Sequence, residues 1–301
     1  MLHAICHSTV YDYDHDVSLS HHLLRLTPRS LERQRCLERS IESVPSPATR
    51  SEHIDHFGST TGFLTIEGAH RRLEIHARSL VEALPPATGP VAAATAPWES
   101  LRDACRPGAL DAPPEPVEFV FPSPMAPRRA EFSGYAQYSF PAGRPALEGA
   151  QDLCARIHAD FAFDARATTV ATSVQDFFKT RRGVCQDFAH LMVACLRSLG
   201  LPARYVSGYL ETSPPPGQEK LIGADASHAW ISVWCGAAGW IDLDPTNNLR
   251  PAERHITVAW GRDFGDVSPV RGVLVGSGSH QLKVSVDVRP AEAPPQHASQ
   301  Y

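Results

Sequence analysis

Residues 181–209 read RRGVCQDFAHLMVACLRSLGLPARYVSGY, and this stretch decides the fold. Phe188, Leu191, Met192, Cys195, Leu196 and Leu199 recur at helical spacing. Gly200 suits the position just past a helix, and Pro202 blocks continuation. The pattern predicts an amphipathic helix with Cys185 in its first turn, three residues before Phe188. There the unpaired backbone N–H groups and the helix dipole favour a thiolate, and Arg181 and Arg182 add positive potential. Cys195, on the apolar stripe, reads as an ordinary buried thiol.

Strands are expected downstream at Ala203–Leu210, Ala226–Trp234, Trp240–Asp244, His255–Trp260, Val270–Val275 and Gln281–Val288. In the last, Leu282, Val284, Val286 and Val288 alternate with polar residues, as in a half-buried antiparallel strand. Gly276-Ser277-Gly278-Ser279 before it reads as a hairpin turn. Ser227-His228-Ala229-Trp230 opens the second of these strands, and Asp242-Leu243-Asp244-Pro245 closes the third. With a turn centred on Ala237, Trp234 faces Trp240 and Trp230 faces Asp244. Asp244 is then diagonal to His228 and on the same face, whereas Asp242 sits one pair further away. Pro245 ends the pairing, so the histidine and the carboxylate emerge at one rim. A helix-start thiol, an imidazole and a carboxylate are the parts of an activated nucleophile: Cys185 attacks a carbonyl, His228 moves the proton and Asp244 orients the imidazole. Trp230, on the face of His228, is a candidate substrate-binding residue, with core packing an equal reading.

Upstream, the first 83 residues read as antiparallel β structure. Leu73, Ile75, Ala77, Ser79 and Val81 alternate with polar neighbours, Gly68-Ala69-His70 suggests a hairpin turn, and a further turn is expected near Gly58-Ser59-Thr60. Prolines between 85 and 127 exclude long regular structure, apart from a short helix over Trp98–Cys105. Leu147, Ala150, Cys154, Ile157 and Phe161 mark a helix beginning at Pro145, and Ser173-Val174-Gln175-Asp176 resembles a capping box. The expected organisation is an N-terminal β-rich domain with a Pro-rich linker over 1–130, a core with C-terminal strands over 131–290, and a flexible tail over 291–301. Helices followed by a run of strands indicate α+β.

Composition narrows the function. The chain has 301 residues, 43% hydrophobic and 20% charged, with a net charge of −5. No basic field attracts nucleic acid or anionic lipid. No apolar run approaches the roughly 18 residues of a membrane helix. The N-terminal residues lack a basic start and an apolar stretch, so a cytoplasmic location is expected. Seven cysteines without a C-x-x-C pair argue for reduced thiols and against a zinc ribbon. Asp12-x-Asp14-x-Asp16 lacks the glycine and the closing acid of a calcium loop, and His53-x-x-His56 in a strand would point its rings apart.

The segments RRGVCQDFAHLMVACLRSLGLPARYVSGY, SHAWISVWC and GWIDLDPTNN resemble the core of the transglutaminase-like superfamily, within the papain-like fold. The Cys, His, Asp order and the Asp-Pro pair carry the resemblance over roughly residues 150 to 250. The N-terminal β region and GRDFGDVSPVRGVLVGSGSHQLKVSVDV resemble bacterial transglutaminase-like cysteine proteases. The resemblance implies a Cys-bearing helix packed on an antiparallel sheet, a Cys185–His228–Asp244 triad, a thioester intermediate and no cofactor or obligatory metal. Animal transglutaminases hold the oxyanion with an indole ahead of the nucleophile. Trp98 is the only tryptophan before Cys185 here, so Gln186, Tyr135, Gln137 and backbone all remain open for that role. The zinc-binding C-x-x-C pairs of peptide N-glycanases are missing. The expected activity is acyl transfer from amide bonds of a peptide or protein substrate, as a peptidase or amidase. Amine-acceptor transglutaminase and non-catalytic peptide-binding module are the alternatives.

Overall fold

The computed structural model describes residues 1–85, 92–109, 112–169, 171–212, 227–276 and 278–291. Four strands open the chain: β1 (Leu2–Leu24), β2 (Gln34–Val44), β3 (Thr49–Ile54) and β4 (Thr60–Ala83). β1 and β4 pair antiparallel along most of their length, and β2 and β3 add to the far edge of β4. Leu73, Ile75, Ala77 and Val81 are buried, as period-two alternation requires. Gly58, at φ +76°, lies in the turn between β3 and β4. The hairpin expected at Gly68-Ala69-His70 does not form. Gly68, at φ +91°, instead sits in a bulge, and the register shifts where Glu67 pairs Leu19 and His70 pairs Val17. β1 offers ladder partners on both sides of that glycine, so its left-handed backbone bends a continuing strand rather than reversing it.

Short helices follow: α1 (Trp98–Ala104), α2 (Pro114–Glu118) and α3 (Ala130–Gln137). In α4 (Ala146–Asp160), Leu147, Ala150, Cys154 and Ile157 are buried. Pro145 sits at the N-cap, one residue earlier than the first turn. A two-residue strand, β5 (Ala162–Phe163), is followed by α5 (Val174–Thr180). The Ser173 hydroxyl caps α5 by accepting from the Asp176 amide at 3.1 Å. β6 (Arg182–Gly183) pairs parallel with β5 and leads directly into α6 (Cys185–Ser198).

α6 is amphipathic as expected, but its polar face does not meet solvent: every residue from Gln186 to Arg197 is buried. Its polar positions are accommodated by hydrogen bonds rather than by solvent. The fully buried Arg197 donates to the carbonyls of Ala203 (3.0 and 2.8 Å) and Arg262 (2.8 Å) and to Ser123 (3.2 Å). His190 accepts from the Phe264 amide at 3.1 Å.

The second sheet contains β7 (Ala203–Leu210), β8 (Ser227–Trp234), β9 (Trp240–Leu243) and β10 (His255–Gly261), in the order β10-β7-β8-β9, all antiparallel. α6 shares one hydrophobic core with Tyr205 and Tyr209 of β7 and with Ala229, Ile231 and Val233 of β8. After α7 (Phe264–Val267), the chain returns to the first sheet through β11 (Val270–Val275) and β12 (His280–Pro290). β11 pairs β1 at Leu19–Leu24 and β12 pairs it at His3–Tyr13. The two strands therefore run end to end along one edge of β1, and Gly276–Ser279 joins them without the expected hairpin (Ser277 lies outside the described residues). The half-buried pattern holds only in part of β12: Val286 and Val288 are buried, while Leu282 and Val284 are 51% and 52% exposed. Of the tail at 291–301, residues 292–301 lie outside the described residues. The architecture is α+β: a Cys-bearing helix on an antiparallel sheet, joined to an N-terminal antiparallel sheet.

Candidate active site

Cys185 is the first residue of α6 and is partly exposed. The turn before it is held by Asp187, whose carboxylate accepts from the Val184 amide at 2.8 Å and from the Thr168 hydroxyl at 2.7 Å. Burial pushes the Asp187 carboxyl up, against the pull of those two bonds. Gln186, the next residue, is 9% exposed.

The hairpin register places the other two groups. Trp234 pairs Trp240 and Ile231 pairs Leu243, so Asp244 lies just beyond the end of β9, diagonal to His228 as the sequence arithmetic requires. His228 Nε2 donates to Asp244 Oδ2 at 2.7 Å. The side chain of Cys185 acts on the same imidazole, and with Nε2 committed to the carboxylate, Nδ1 is the nitrogen left for the thiol. The three residues therefore form one cluster, running from a partly exposed sulfur to a carboxylate that is 0% exposed.

Electrostatics follow from this burial. Desolvation alone would lower the pKa of His228. The hydrogen bond to Asp244, then the interaction with Cys185, outweigh it and push the imidazole up to about 10. Burial would raise Asp244, but hydrogen bonds from His228 and His255, the charge of His228 and the Asn247 amide hold it well below the usual carboxylate range.

Asn247 and His255 were missed at the sequence level. Asn247 donates its side-chain amide to Asp244 Oδ2 at 2.7 Å, and Asp244 Oδ1 accepts from the amides of Thr246 (2.9 Å) and Asn247 (3.2 Å). The Asp-Pro-Thr-Asn run is a turn signal that could have suggested this wrap. His255 Nε2 donates to the same Oδ2 at 3.2 Å. No local pattern announces it, because β10 is at the opposite edge of the sheet from β9. The ligand atoms of His228, Asp244 and His255 lie within 4.8 Å of one another and could hold a metal ion; here hydrogen bonds join both rings to the carboxylate.

Other expected residues are placed differently. Trp230 is 0% exposed, packed edge-on against His255 at 5.3 Å and tilted against His228 at 6.1 Å. Its ring reaches across Gly208 of β7 to His255 on β10, so it packs beside both imidazoles. The Trp98 indole N–H is donated to the Pro141 carbonyl and the Tyr135 hydroxyl to Asp160, so both are committed elsewhere. Gln137 is exposed near the end of α3. Asp12 and Asp16 pair with Arg72 and Arg71, and His56 with Glu118, in place of any metal arrangement. A groove of about 330 Å³ opens beside Asn247 and His255, lined also by Glu211, Arg250, Glu253 and Arg254. Among the described residues, no helix is long and apolar enough to cross a membrane.

Comparison with known proteins agrees with this fold. Residues 3–82 match the bacterial transglutaminase-like N-terminal region, and residues 135–245 match the transglutaminase-like superfamily. An uncharacterized protein of Mycobacterium tuberculosis is 41% identical over 98% of this chain and 94% of its own length. A protein-glutamine gamma-glutamyltransferase of Pseudomonas aeruginosa is 38% identical over 97 residues, 31% of this chain and 14% of that protein. A Cytophaga hutchinsonii structure described as a "putative cysteine protease" superposes with a TM-score of 0.74 at 20% identity, covering 98% of this chain and 93% of that one. Cysteine, histidine and aspartate stand within the matched core and the paired N-terminal region precedes it, so this chain belongs to the transglutaminase-like superfamily, among members with the bacterial N-terminal region.

Proposed function

We propose that the protein is a thiol-dependent peptidase or amidase. The observation that carries this reading is the partly exposed Cys185 acting on the imidazole of His228, which is itself hydrogen-bonded to Asp244 at 2.7 Å. Cys185 Sγ attacks an amide carbonyl with its proton already lodged on His228 Nδ1, and His228 delivers that proton to the departing amine nitrogen. The product of that half-reaction is a thioester on Cys185. Water, deprotonated by His228, then attacks the thioester carbonyl, releasing the acid and restoring the thiol. Asp244 fixes the ring and stabilises its charged form. The backbone N–H of Cys185, at the start of α6, and the neighbouring Gln186 are the donors proposed for the oxyanion. A peptide or protein substrate is proposed, presented to the partly exposed thiol of Cys185.

An amine acceptor in place of water would make the enzyme a protein-glutamine transglutaminase. The local similarity to the Pseudomonas aeruginosa gamma-glutamyltransferase favours retaining that second reading. A cytoplasmic location is part of the proposal, supported by seven cysteines that are all unpaired. The test of activity is a peptide library incubated with wild type and Cys185→Ala, with and without a primary amine, read by mass spectrometry. Cleavage lost by at least about 10³-fold in the variant supports the hydrolase. An amine adduct in place of free acid supports the transferase. Turnover that survives the substitution removes the thiol from the mechanism.

A further inference from the structure

The carboxylate of Asp244 is shared by two imidazoles, and the mechanism above uses only one. His255 donates Nε2–H to the same Oδ2 that receives the proton of His228, at 3.2 Å against 2.7 Å. Its side chain is 5% exposed, and its ring centroid is 5.9 Å from that of His228. The indole of Trp230 packs perpendicular to it, fixing the plane of the ring. Asn247 supplies the third donor to Oδ2. Three donors from three directions leave the oxygen one rotational setting, and that setting aims it at His228. A histidine from the far edge of the sheet is an expensive way to fill space here, because a buried imidazole needs a partner. It is well suited to bracing a carboxylate.

We propose that His255 is a positioning residue for the Cys185–His228–Asp244 triad, acting through its hydrogen bond to Asp244 Oδ2. This rests on the reading of Cys185 as the nucleophile. The role belongs to the donor at the Nε2 position, not to the ring. Glutamine places an amide N–H near the position of Nε2 and should restore the function. Phenylalanine keeps the packing against Trp230 and offers no donor, and asparagine is too short to reach Oδ2.

The experiment measures alkylation of Cys185 by iodoacetamide at pH 6 in the full chain, with thermal unfolding recorded in parallel. It is run on wild type, His255→Gln, His255→Phe, His255→Asn and His228→Ala. Loss of one hydrogen bond to a charged group corresponds to roughly a tenfold fall in rate, so Phe and Asn should fall by about that much while Gln stays within about threefold of wild type. Phe or Asn reacting as fast as wild type, or Gln falling as far as they do, overturns the proposal, since either outcome leaves the donor without a role. Should the Phe variant fail to fold, the Gln–Asn pair decides alone. The nucleophile reading fails separately: there wild type itself reacts like an ordinary thiol and His228→Ala changes nothing.

Discussion

Asp244 accepts five hydrogen bonds, three at Oδ2 and two at Oδ1, and is itself inaccessible to water. A carboxylate so placed is held charged by geometry, and it in turn holds His228 charged. The stability linked to this pair has a definite pH window. The imidazole rises from 6.5 to about 10 on folding, so its contribution is full below pH 6.5 and is lost as the pH climbs through 10. The carboxyl falls below its ordinary value of 3.8, so its contribution is full above that value and is lost as the pH drops below it. Both are present together between roughly pH 4 and 6.5. Thermal unfolding of wild type against His228→Gln should therefore show its largest gap near pH 6 and a shrinking gap toward pH 10. A gap that stays constant over that range means the ring is not held as a cation by Asp244.

At the scale of elements, the pair of histidines can meet only because of what lies between their strands. Gly208 of β7 is paired with His228 of β8. A methyl group there would lie 2.1 Å from the Ile256 carbonyl oxygen of β10 and 2.5 Å from the Trp230 ring. Backbone cannot give way as a flexible side chain can, so Gly208→Ala must separate β7 from β10 or expel the indole. A destabilisation of about 2–4 kcal/mol is expected, measured by urea unfolding, with slower alkylation of Cys185. A neutral result would mean the sheet is more plastic than its packing indicates. The same region shows what the sequence could reveal. The β8–β9 register was legible because a short turn between two tryptophans fixes it locally, and α6 was legible from its apolar spacing and Gly200. His255 was not, since its partner is eleven residues away across the whole sheet. Nor was the burial of Arg197, because the carbonyls that satisfy it belong to β7 and the segment after β10. The bulge at Gly68 shows a third kind of limit: a positive-φ glycine serves a turn and a bulge equally, and only the partner strand decides.

At the scale of the molecule, the N-terminal sheet does more than cover one side of the core. Gln34, at the start of β2 and 5% exposed, behaves as a surrogate strand against β10. Its side-chain amide donates to the Thr257 carbonyl at 2.8 Å, and its carbonyl accepts from the Thr257 amide at 2.8 Å. Arg29 adds a backbone bond to Thr257 at 3.1 Å and lies 3.4 Å over the Trp260 ring. His7 of β1 reaches the Tyr209 hydroxyl of β7 at 3.0 Å. The open edge of β10 is thus closed by the first sheet, two residues from His255. Removing Gln34 leaves the Thr257 amide buried without that partner and its carbonyl with the Arg29 amide alone, at a cost of roughly 2 kcal/mol. If the docking also holds β10 in place for His255, Gln34→Ala should slow alkylation of Cys185 at a pH and temperature where the variant remains folded. Urea unfolding and the alkylation rate, taken on the same sample, separate the two consequences: a loss of stability with an unchanged rate would confine the N-terminal sheet to supporting the fold, whereas a fall in both ties it to the geometry of the triad.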